Sequence, residues 1–434
     1  MVATNRSAGR VAIVAGARTP FVKMGGALKS VHVTDLARVV FQESLYRAHL
    51  DEARLDEVIL GNVVMPFDAA NPARVAALYA GVPQRVPAMT VQRNCASGME
   101  AIADAAKRIR RGEAKAILAG GAESMSTIPL LFNRSGTEAF GRMARAKSVM
   151  QKAGAVATLR PRHFKPVIAL ECGLTDPTCG LIMGKTAEIL ASEWNITRRE
   201  QDEFALRSHQ RAVAAAEAGK FNDEMVPFYA GDRFEPVTAD VGPRAEQTLE
   251  ALAKLKPIFD RRDGTVTVGN SCQVTDGAAA VVTTDPAMAK AEGLEPLGYV
   301  RAYAYVGLDP ARMGLGPVFA IDQLLRDTGL KLGDIGLIEI NEAFAAQVLA
   351  CVKALGSKRF AAEQLNRDEP LGEIDPDLLN VNGGAIALGH PVGATGARLV
   401  LSLLHEMKRR DVELGLATLC VGGGQGAAIL LERR

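Results

Sequence analysis

Aromatic residues are scarce, only 5% of 434 positions with a single tryptophan, so few large rings are available to fill a core. A charge imbalance is also missing: 51 Lys plus Arg stand against 49 Asp plus Glu, for a formal net charge of +2. That balance argues against a nucleic-acid-binding protein, which shows a basic excess or stripe. It leaves room for a local basic patch facing a phosphorylated ligand. Cysteine occurs six times, at 95, 172, 179, 272, 351 and 420, without the dense spacing of a disulfide scaffold. Free thiols in a reducing compartment are expected. No apolar run approaches the ~18 residues of a membrane span. The opening MVATNRSAGR lacks the basic segment, apolar region and cleavage site of a secretory signal. A cytoplasmic protein is the simplest expectation, and an organellar form with its targeting peptide removed fits the same observations.

What is present points to a large folded core. Hydrophobic residues make up 48% of the chain, which argues against broad disorder, and 42 Gly with 20 Pro supply many tight turns. A chain of 434 residues can hold more than one domain. Val11–Ala15, Val58–Val64 and Ala116–Ala119 read as buried strands. Ala96–Arg110 reads as a helix, with Met99, Ile102, Ala106 and Ile109 in one stripe. The C-terminal part repeats this grammar: an apolar run to Ile340 ends at Asn341-Glu342, Gly393–Gly396 opens a helix toward Lys408, and Leu416–Leu419 runs into a glycine turn. Two related α/β halves fit this half-chain recurrence better than an open solenoid. Residues 126–264 differ, with a basic first part, a Gly/Pro-containing loop from Cys172 to Cys179, a helical Ala187–Ala218 and a turn-rich Phe221–Arg244. They read as an inserted lobe, either a ligand-binding surface or a solvated insertion.

Four segments carry candidate chemistry. Cys95 lies in Arg93-Asn94-Cys95-Ala96-Ser97-Gly98, where an apolar strand pattern ends and an amphipathic helix begins. Free amide groups and the local dipole at a helix entrance favour a thiolate and bind a developing oxyanion. A buried structural cysteine is the competing reading. Cys420 opens Cys420-Val421-Gly422-Gly423-Gly424-Gln425-Gly426, whose glycines allow close approach by a substrate. A phosphate loop is the alternative there, but a P-loop lysine and a GxGxxG fingerprint are both missing, which disfavours ATP and NAD. His390, in Gly389-His390-Pro391-Val392-Gly393-Ala394-Thr395-Gly396, could take a thiol proton or donate to a carbonyl oxygen, or simply bond within its turn. His32, His49, His163, His209 and His405 lack such a setting and are assigned to surface or packing roles. Asn341 and Glu342 follow a strand end, where Asn341 could hold a carbonyl or water, or cap a helix, and Glu342 could orient a neighbour. Cys172 and Cys179 have no CxxC spacing and no HExxH accompanies them, so no metal site is expected.

Taken in order, RNCASG, NEAFA, GHPVGATG and CVGGGQG resemble the motifs of the thiolase family. Gly16–Phe21, Gly120–Met125 and Gly264–Thr267 extend that resemblance over essentially the whole chain. It implies an α/β fold of two similar βαβαβαββ halves in a five-layer α/β/α/β/α core with an inserted loop domain. The corresponding division is residues 1–125 plus 265–290 as N-terminal domain, 126–264 as inserted loop and CoA-binding domain, and 291–434 as C-terminal domain. The implied activity is that of a 3-ketoacyl-CoA thiolase (acetyl-CoA C-acyltransferase): Cys95 takes up the acyl group, His390 activates its thiol, and Cys420 exchanges protons with the acetyl-CoA enolate and the incoming CoA. The resemblance further implies that Asn341, through a water, and His390 hold the enolate oxygen, while the N–H groups of Cys95 and Gly422 hold the tetrahedral oxyanion. Coenzyme A is a substrate and no prosthetic group is expected. Members assemble as homodimers or homotetramers. The long lobe and Glu171–Glu188 are similar to fatty-oxidation (beta-oxidation) thiolases that work with a multifunctional partner. An acetoacetyl-CoA thiolase condensing two acetyl-CoAs is the alternative. A decarboxylating ketoacyl synthase, with one cysteine and two histidines or His and Asn, and a non-catalytic acyl-CoA-binding protein fit less well. Gly269-Asn270-Ser271-Cys272 places a thiol where many members carry a serine near the pantetheine channel. A thiol is the weaker hydrogen-bonding group, so Cys272 is expected to line the CoA channel without a catalytic role.

Overall fold

The computed structural model describes residues 9–231 and 234–434. The opening segment screened for a targeting signal therefore lies, up to residue 8, outside the described residues, as do positions 232 and 233 of the turn-rich stretch.

The N-terminal half supplies β1 (Val11–Arg18), β2 (Glu57–Gly61), β3 (Ala88–Val91), β4 (Ala116–Glu123) and β5 (Thr275–Thr284), with helices α1 (Val33–Ala48), α2 (Pro72–Tyr79) and α3 (Ser97–Arg110). Between β4 and β5 lies the lobe, containing α4 (Arg134–Arg145), α5 (Val149–Ala157), α6 (Met183–Glu193) and α7 (Arg198–Glu217). The C-terminal half supplies β6 (Gly298–Gly307), β7 (Leu337–Ile340), β8 (Leu414–Val421) and β9 (Gln425–Glu432), with α8 (Gly316–Thr328), α9 (Ala345–Leu355) and α10 (Val392–Arg410).

Strand order exposes the duplication. The first half runs β3-β2-β4-β5-β1 and the second β7-β8-β9-β6, joined where β1 meets β6. In each half one strand is antiparallel to both neighbours: β5 between β4 and β1, β9 between β8 and β6. The place of β3 is taken in the second half by Leu379, which bridges Ile338 of β7 in parallel. Thus α3, which follows β3, and α10, which follows Leu379, occupy equivalent positions.

Central strands are buried on both faces, and their sequences show it: β1, β4 and β5 are runs of Ala, Gly and Val rather than alternating polar patterns. Helices α1 and α2 cover one side of the first half-sheet. Helices α3 and α10 fill the space between the two half-sheets. Helices α8 and α9 cover the outer side of the second, where lobe helices α6 and α7 join the same core. The result is the expected five-layer arrangement. The stripe of Met99, Ile102, Ala106 and Ile109 is buried as predicted.

Three local readings change. The strand at 58–64 stops at Gly61. The 187–218 stretch is two helices, broken between Trp194 and Thr197, where Asn195 is left-handed (φ 48°) and Thr197 with Glu200 forms a capping box. Cys172 belongs to the short helix Ala169–Gly173 rather than to loop.

Helices α3 and α10 meet at their N-termini through glycine. A methyl group on Gly98 would come 2.7 Å from the Gly393 carbonyl oxygen, and one on Gly396 would overlap the Met99 backbone. Only bare backbone permits this approach. It sets the loops preceding the two helices side by side, and those loops carry Cys95 and His390.

Candidate active site

Strand β3 ends at Val91, earlier than the pattern suggested, and residues 92–96 make a tight turn into α3. Asn94 is left-handed (φ 42°), a conformation asparagine tolerates better than most residues. The Ser97 hydroxyl donates to the Asn94 carbonyl at 2.7 Å and accepts from the Arg93 N–H at 2.9 Å, closing the turn around Cys95. Asn94 also donates from its side-chain amide to the Gly422 carbonyl at 2.8 Å. That bond fastens the glycine turn between β8 and β9 to the Cys95 loop. The N–H groups of Gly422 and of Cys95 itself face the sulfur. Burial nevertheless dominates and pushes the Cys95 thiol up to about 11.

His390 precedes α10 and is 6% exposed. Its Nδ1 lies 2.6 Å from the Thr395 hydroxyl, which donates its own proton to the Pro391 carbonyl at 2.9 Å. A hydroxyl has one proton, so Thr395 accepts from Nδ1–H and the lone pair is left on Nε2. The Asn341 side-chain nitrogen lies 3.5 Å from that Nε2. Burial, with the nearby Arg398 guanidinium, lowers the His390 pKa to about 3. With the thiol raised and the imidazole lowered, the resting pair is neutral, a protonated Cys95 beside an unprotonated His390.

Asn341 continues β7, and its N–H donates to the Thr418 carbonyl of β8, two residues before Cys420. It does not cap a helix; Phe344 holds the N-cap position of α9. The Asn341 Oδ1 is buried without a protein partner. Glu342 accepts from Ser208 Oγ at 2.6 Å, Asn380 Nδ2 at 2.9 Å and the Ile386 N–H at 3.2 Å. It thereby orients the 380–388 segment leading to His390.

Cys420 is buried at the end of β8, opposite Gly426. Burial, then the proximity of Cys95, Cys351 and Cys272, hold its pKa well above an ordinary thiol. Cys272 is brought to the same place, its N–H bonded to the Ala343 carbonyl at 3.0 Å. Its thiol is pushed up to about 12 by burial and by Cys95. Cys351 lies behind Cys420, its thiol donating to the Gly314 carbonyl at 3.1 Å. The fold thus gathers Cys95, Cys420, Cys272, His390, Asn341 and Gly422 from segments spread over the whole chain. The remaining histidines cap or pack: His32 and His49 end α1, while His163, His209 and His405 are buried elsewhere. Among the described residues, no group of three His, Cys, Asp or Glu could hold a metal ion.

Several supporting residues escaped sequence reading. Glu123, at the end of β4, accepts from the N–H groups of Val63, Val64 and Gly393 and from Asn62, all between 2.9 and 3.1 Å. Burial still raises it to about 7. Asp176 of the lobe accepts from the Gly423 N–H, and the Met183 sulfur lies 3.5 Å from where a Gly422 methyl would sit. Thr395, five residues after His390, is the one partner whose spacing within its motif could have suggested it.

Comparison with known proteins agrees over the full length. A family model described as "Thiolase, N-terminal domain" matches residues 11–286, and one described as "Thiolase, C-terminal domain" matches residues 294–433. An acetyl-CoA acetyltransferase of Pseudomonas aeruginosa is 45% identical over 98% of this chain and 99% of its own. A 3-ketoacyl-CoA thiolase of Klebsiella pneumoniae is 41% identical over 98% of each. The crystal structure of the Bacillus anthracis acetyl-CoA acetyltransferase superposes with TM-score 0.86 at 41% identity, covering 99% of this chain and 100% of that one.

Proposed function

The chain belongs to the thiolase family, and from that premise we propose that it is a 3-ketoacyl-CoA thiolase working through an acyl group on Cys95. Thiolase-type transfer of acyl groups to and from coenzyme A is its chemistry, and CoA is a substrate. The observation that carries the acyl-Cys95 reading is the pairing of two thiols, Cys95 and Cys420, with one neutral imidazole whose Nε2 is left free by Thr395.

The steps follow from those positions. Cys95 attacks the 3-keto carbon as its proton passes to His390 Nε2, so a free thiolate never needs to persist. The N–H groups of Cys95 and Gly422 hold the tetrahedral oxyanion, and one such donor is commonly worth roughly 3–4 kcal/mol. The C2–C3 bond breaks, leaving an acyl thioester on Cys95 and an acetyl-CoA enolate held by Nε2–H and, through a water, by Asn341. Cys420 gives its proton to C2. Its high pKa makes the resulting thiolate a strong base, which then takes the proton of incoming CoA. The CoA sulfur attacks the thioester, Cys95 leaves, and His390 returns its proton. Cys272 lines the CoA channel in this reading, supported by its place beside Cys95.

The domain division at 1–125 plus 265–290, 126–264 and 291–434 belongs to the same proposal, as does a homo-oligomer in the cytoplasm. Assembly is supported by the open edge strand β3 and by Met65 and Phe67, exposed in the N-terminal half. No described helix is long and apolar enough to cross a membrane. The second reading, condensation of two acetyl-CoAs to acetoacetyl-CoA, is favoured by the Pseudomonas relative. Thiolysis rates over 3-ketoacyl-CoAs from acetoacetyl to long chains separate the two. Activity confined to acetoacetyl-CoA would support the second. Mass spectrometry should find an acyl adduct on Cys95 that Cys95→Ala abolishes; normal thiolysis by folded Cys95→Ala would overturn the assignment.

A further inference from the structure

We propose that Arg398 is a positioning residue of the active site: paired with Glu339, it forms a second rung between α10 and β7 behind the His390–Asn341 rung and sets a buried positive charge behind the enolate. This role rests on the proposed thiolase reaction, in which His390 and, through a water, Asn341 hold the enolate oxygen. Arg398 Nη1 donates to Glu339 Oε2 at 3.4 Å, and both side chains are buried. Thr395 and Arg398 are three residues apart on α10 and so share a face of the helix. Thr395 is the residue that holds His390 Nδ1. Glu339 and Asn341 are two apart on the extended chain of β7 and so point to one side. Asn341 in turn meets His390 Nε2 across 3.5 Å. One helix face and one strand side thus supply both rungs.

The guanidinium is poorly satisfied for a group with a purely structural role. Its Nε and Nη2 are buried without a hydrogen-bond partner among the described residues, where Glu339 is its only ion-pair partner. The other carboxylates of this buried region are engaged elsewhere. Glu342 accepts from Ser208, Asn380 and Ile386, and Glu224 from Arg18. Glu406 accepts from Asn382, Lys220, Arg409 and Arg410. Burial pushes the Glu339 carboxyl up against the pull of Arg398, so its charge only partly offsets the cation. A buried pair left short of partners stabilises poorly compared with apolar residues of like volume. A buried cation in excess does act at a distance, because the interior screens it weakly.

That charge serves two moments of the reaction. At rest it works with burial to keep a proton off His390, so the ring is free to accept one from Cys95. Once the C2–C3 bond has broken, the same charge favours the negative oxygen of the enolate, and it makes the imidazolium readier to give its proton back. Glu339 contributes by holding the guanidinium against β7, which fixes the distance between the cation and the two groups that hold the oxygen. A charge fixed before the reaction starts costs no reorganisation when the enolate forms.

The test reads the enolate directly, as exchange of the C2 protons of acetyl-CoA in D2O by the full chain, beside thiolysis kinetics on acetoacetyl-CoA. Arg398→Met alone would strand Glu339, and losing one partner of a buried pair is costly. The double variant Arg398→Met/Glu339→Leu replaces the pair with apolar side chains and should keep a urea midpoint close to the parent's. Its exchange rate and kcat should fall about tenfold or more, with KM changed less than about twofold. Mass spectrometry should still find an acetyl group on its Cys95. Arg398→Lys keeps the charge and should exchange within about threefold of the parent. A folded double variant that exchanges like the parent overturns the proposal. So does an Arg398→Lys protein as slow as the double variant, which would assign the position to packing. If the double variant does not fold, Arg398→Lys decides alone: exchange slowed about tenfold overturns the proposal, and near-parental exchange supports it. Absence of acetyl on Cys95 in the parent would overturn the acyl-enzyme reaction itself, a separate failure that the mass spectrum identifies.

Discussion

The hydroxyl of Thr395 accepts the Nδ1 proton of His390 across 2.6 Å and so leaves the lone pair on Nε2, the nitrogen that faces Asn341. Thr395→Val removes that acceptor and lets the ring adopt the other tautomer. A fall in kcat of roughly 10–100-fold with little change in KM is expected, by analogy with other residues that orient a working histidine. Thr395→Ser should restore most of it. Steady-state kinetics on the three proteins checks both halves of the statement.

The raised Cys95 thiol gives a pH signature. With its pKa near 11, the thiolate fraction below that value grows with each pH step. Alkylation of Cys95 by iodoacetamide in the absence of substrate should therefore rise about tenfold per pH unit from neutrality to beyond pH 9, where an ordinary thiol would already level off near ~8.5. A plateau near the ordinary value would contradict this environment.

Buried neutral histidines give the opposite end of the profile. His390 is lowered from 6.5 to about 3 and His209 to about 4, both chiefly by burial. The unfolded chain takes up these protons as pH drops below ~6.5 and the native chain does not. Their contribution is a loss of stability on acidification from that value toward the folded pKa values. Urea midpoints should fall across this interval, and His209→Gln should flatten the slope.

Glu123 joins the 62–64 loop to the entrance of α10 through four N–H donors. Glu123→Gln would turn an amide NH2 toward donors, leaving at least one unpaired buried group at a cost of about 1–3 kcal/mol. Stability should fall by that amount, with kcat falling alongside because Gly393 lies three residues from His390. Glu123→Asp, shorter but still all-acceptor, should lose less.

Two neighbouring glycines should respond differently. A methyl group on Gly422 would meet only ordinary contacts, at 3.5 Å from Met183 and 3.7 Å from Asn94. Gly424 has φ +74° and its methyl would overlap the Leu308 carbonyl. Gly424→Ala should lower the melting temperature clearly, while Gly422→Ala should leave it nearly unchanged; calorimetry of both variants decides it.

The motifs around Cys95, His390, Asn341 and Cys420 were legible because each joins a reactive side chain to a strand end or glycine-rich helix entrance. The α3 stripe and the glycine turn after β8 were legible for the same reason, since periodicity and glycine leave local marks. Asn94, Glu123 and Asp176 were not legible. Their roles depend on partners hundreds of residues away, such as Gly422 or Gly393, and a polar residue at a turn looks alike whether it faces water or pins another loop. The end of β3 at Val91 has a local cause: the Arg93 side chain leaves the strand to bond Glu100 and Gln425.

The equivalence of α3 and α10 has a consequence for where the chemistry came from. Cys95 and His390 stand at the same place in two copies of one folding unit, each on the loop that enters the central helix. Neither half alone holds both Cys95 and His390. Packed against each other through Gly98 and Gly393, the copies bring their corresponding loops together. In the proposed reaction, a repeat that carries sulfur at that position in one copy and imidazole in the other sets a nucleophile beside its proton acceptor.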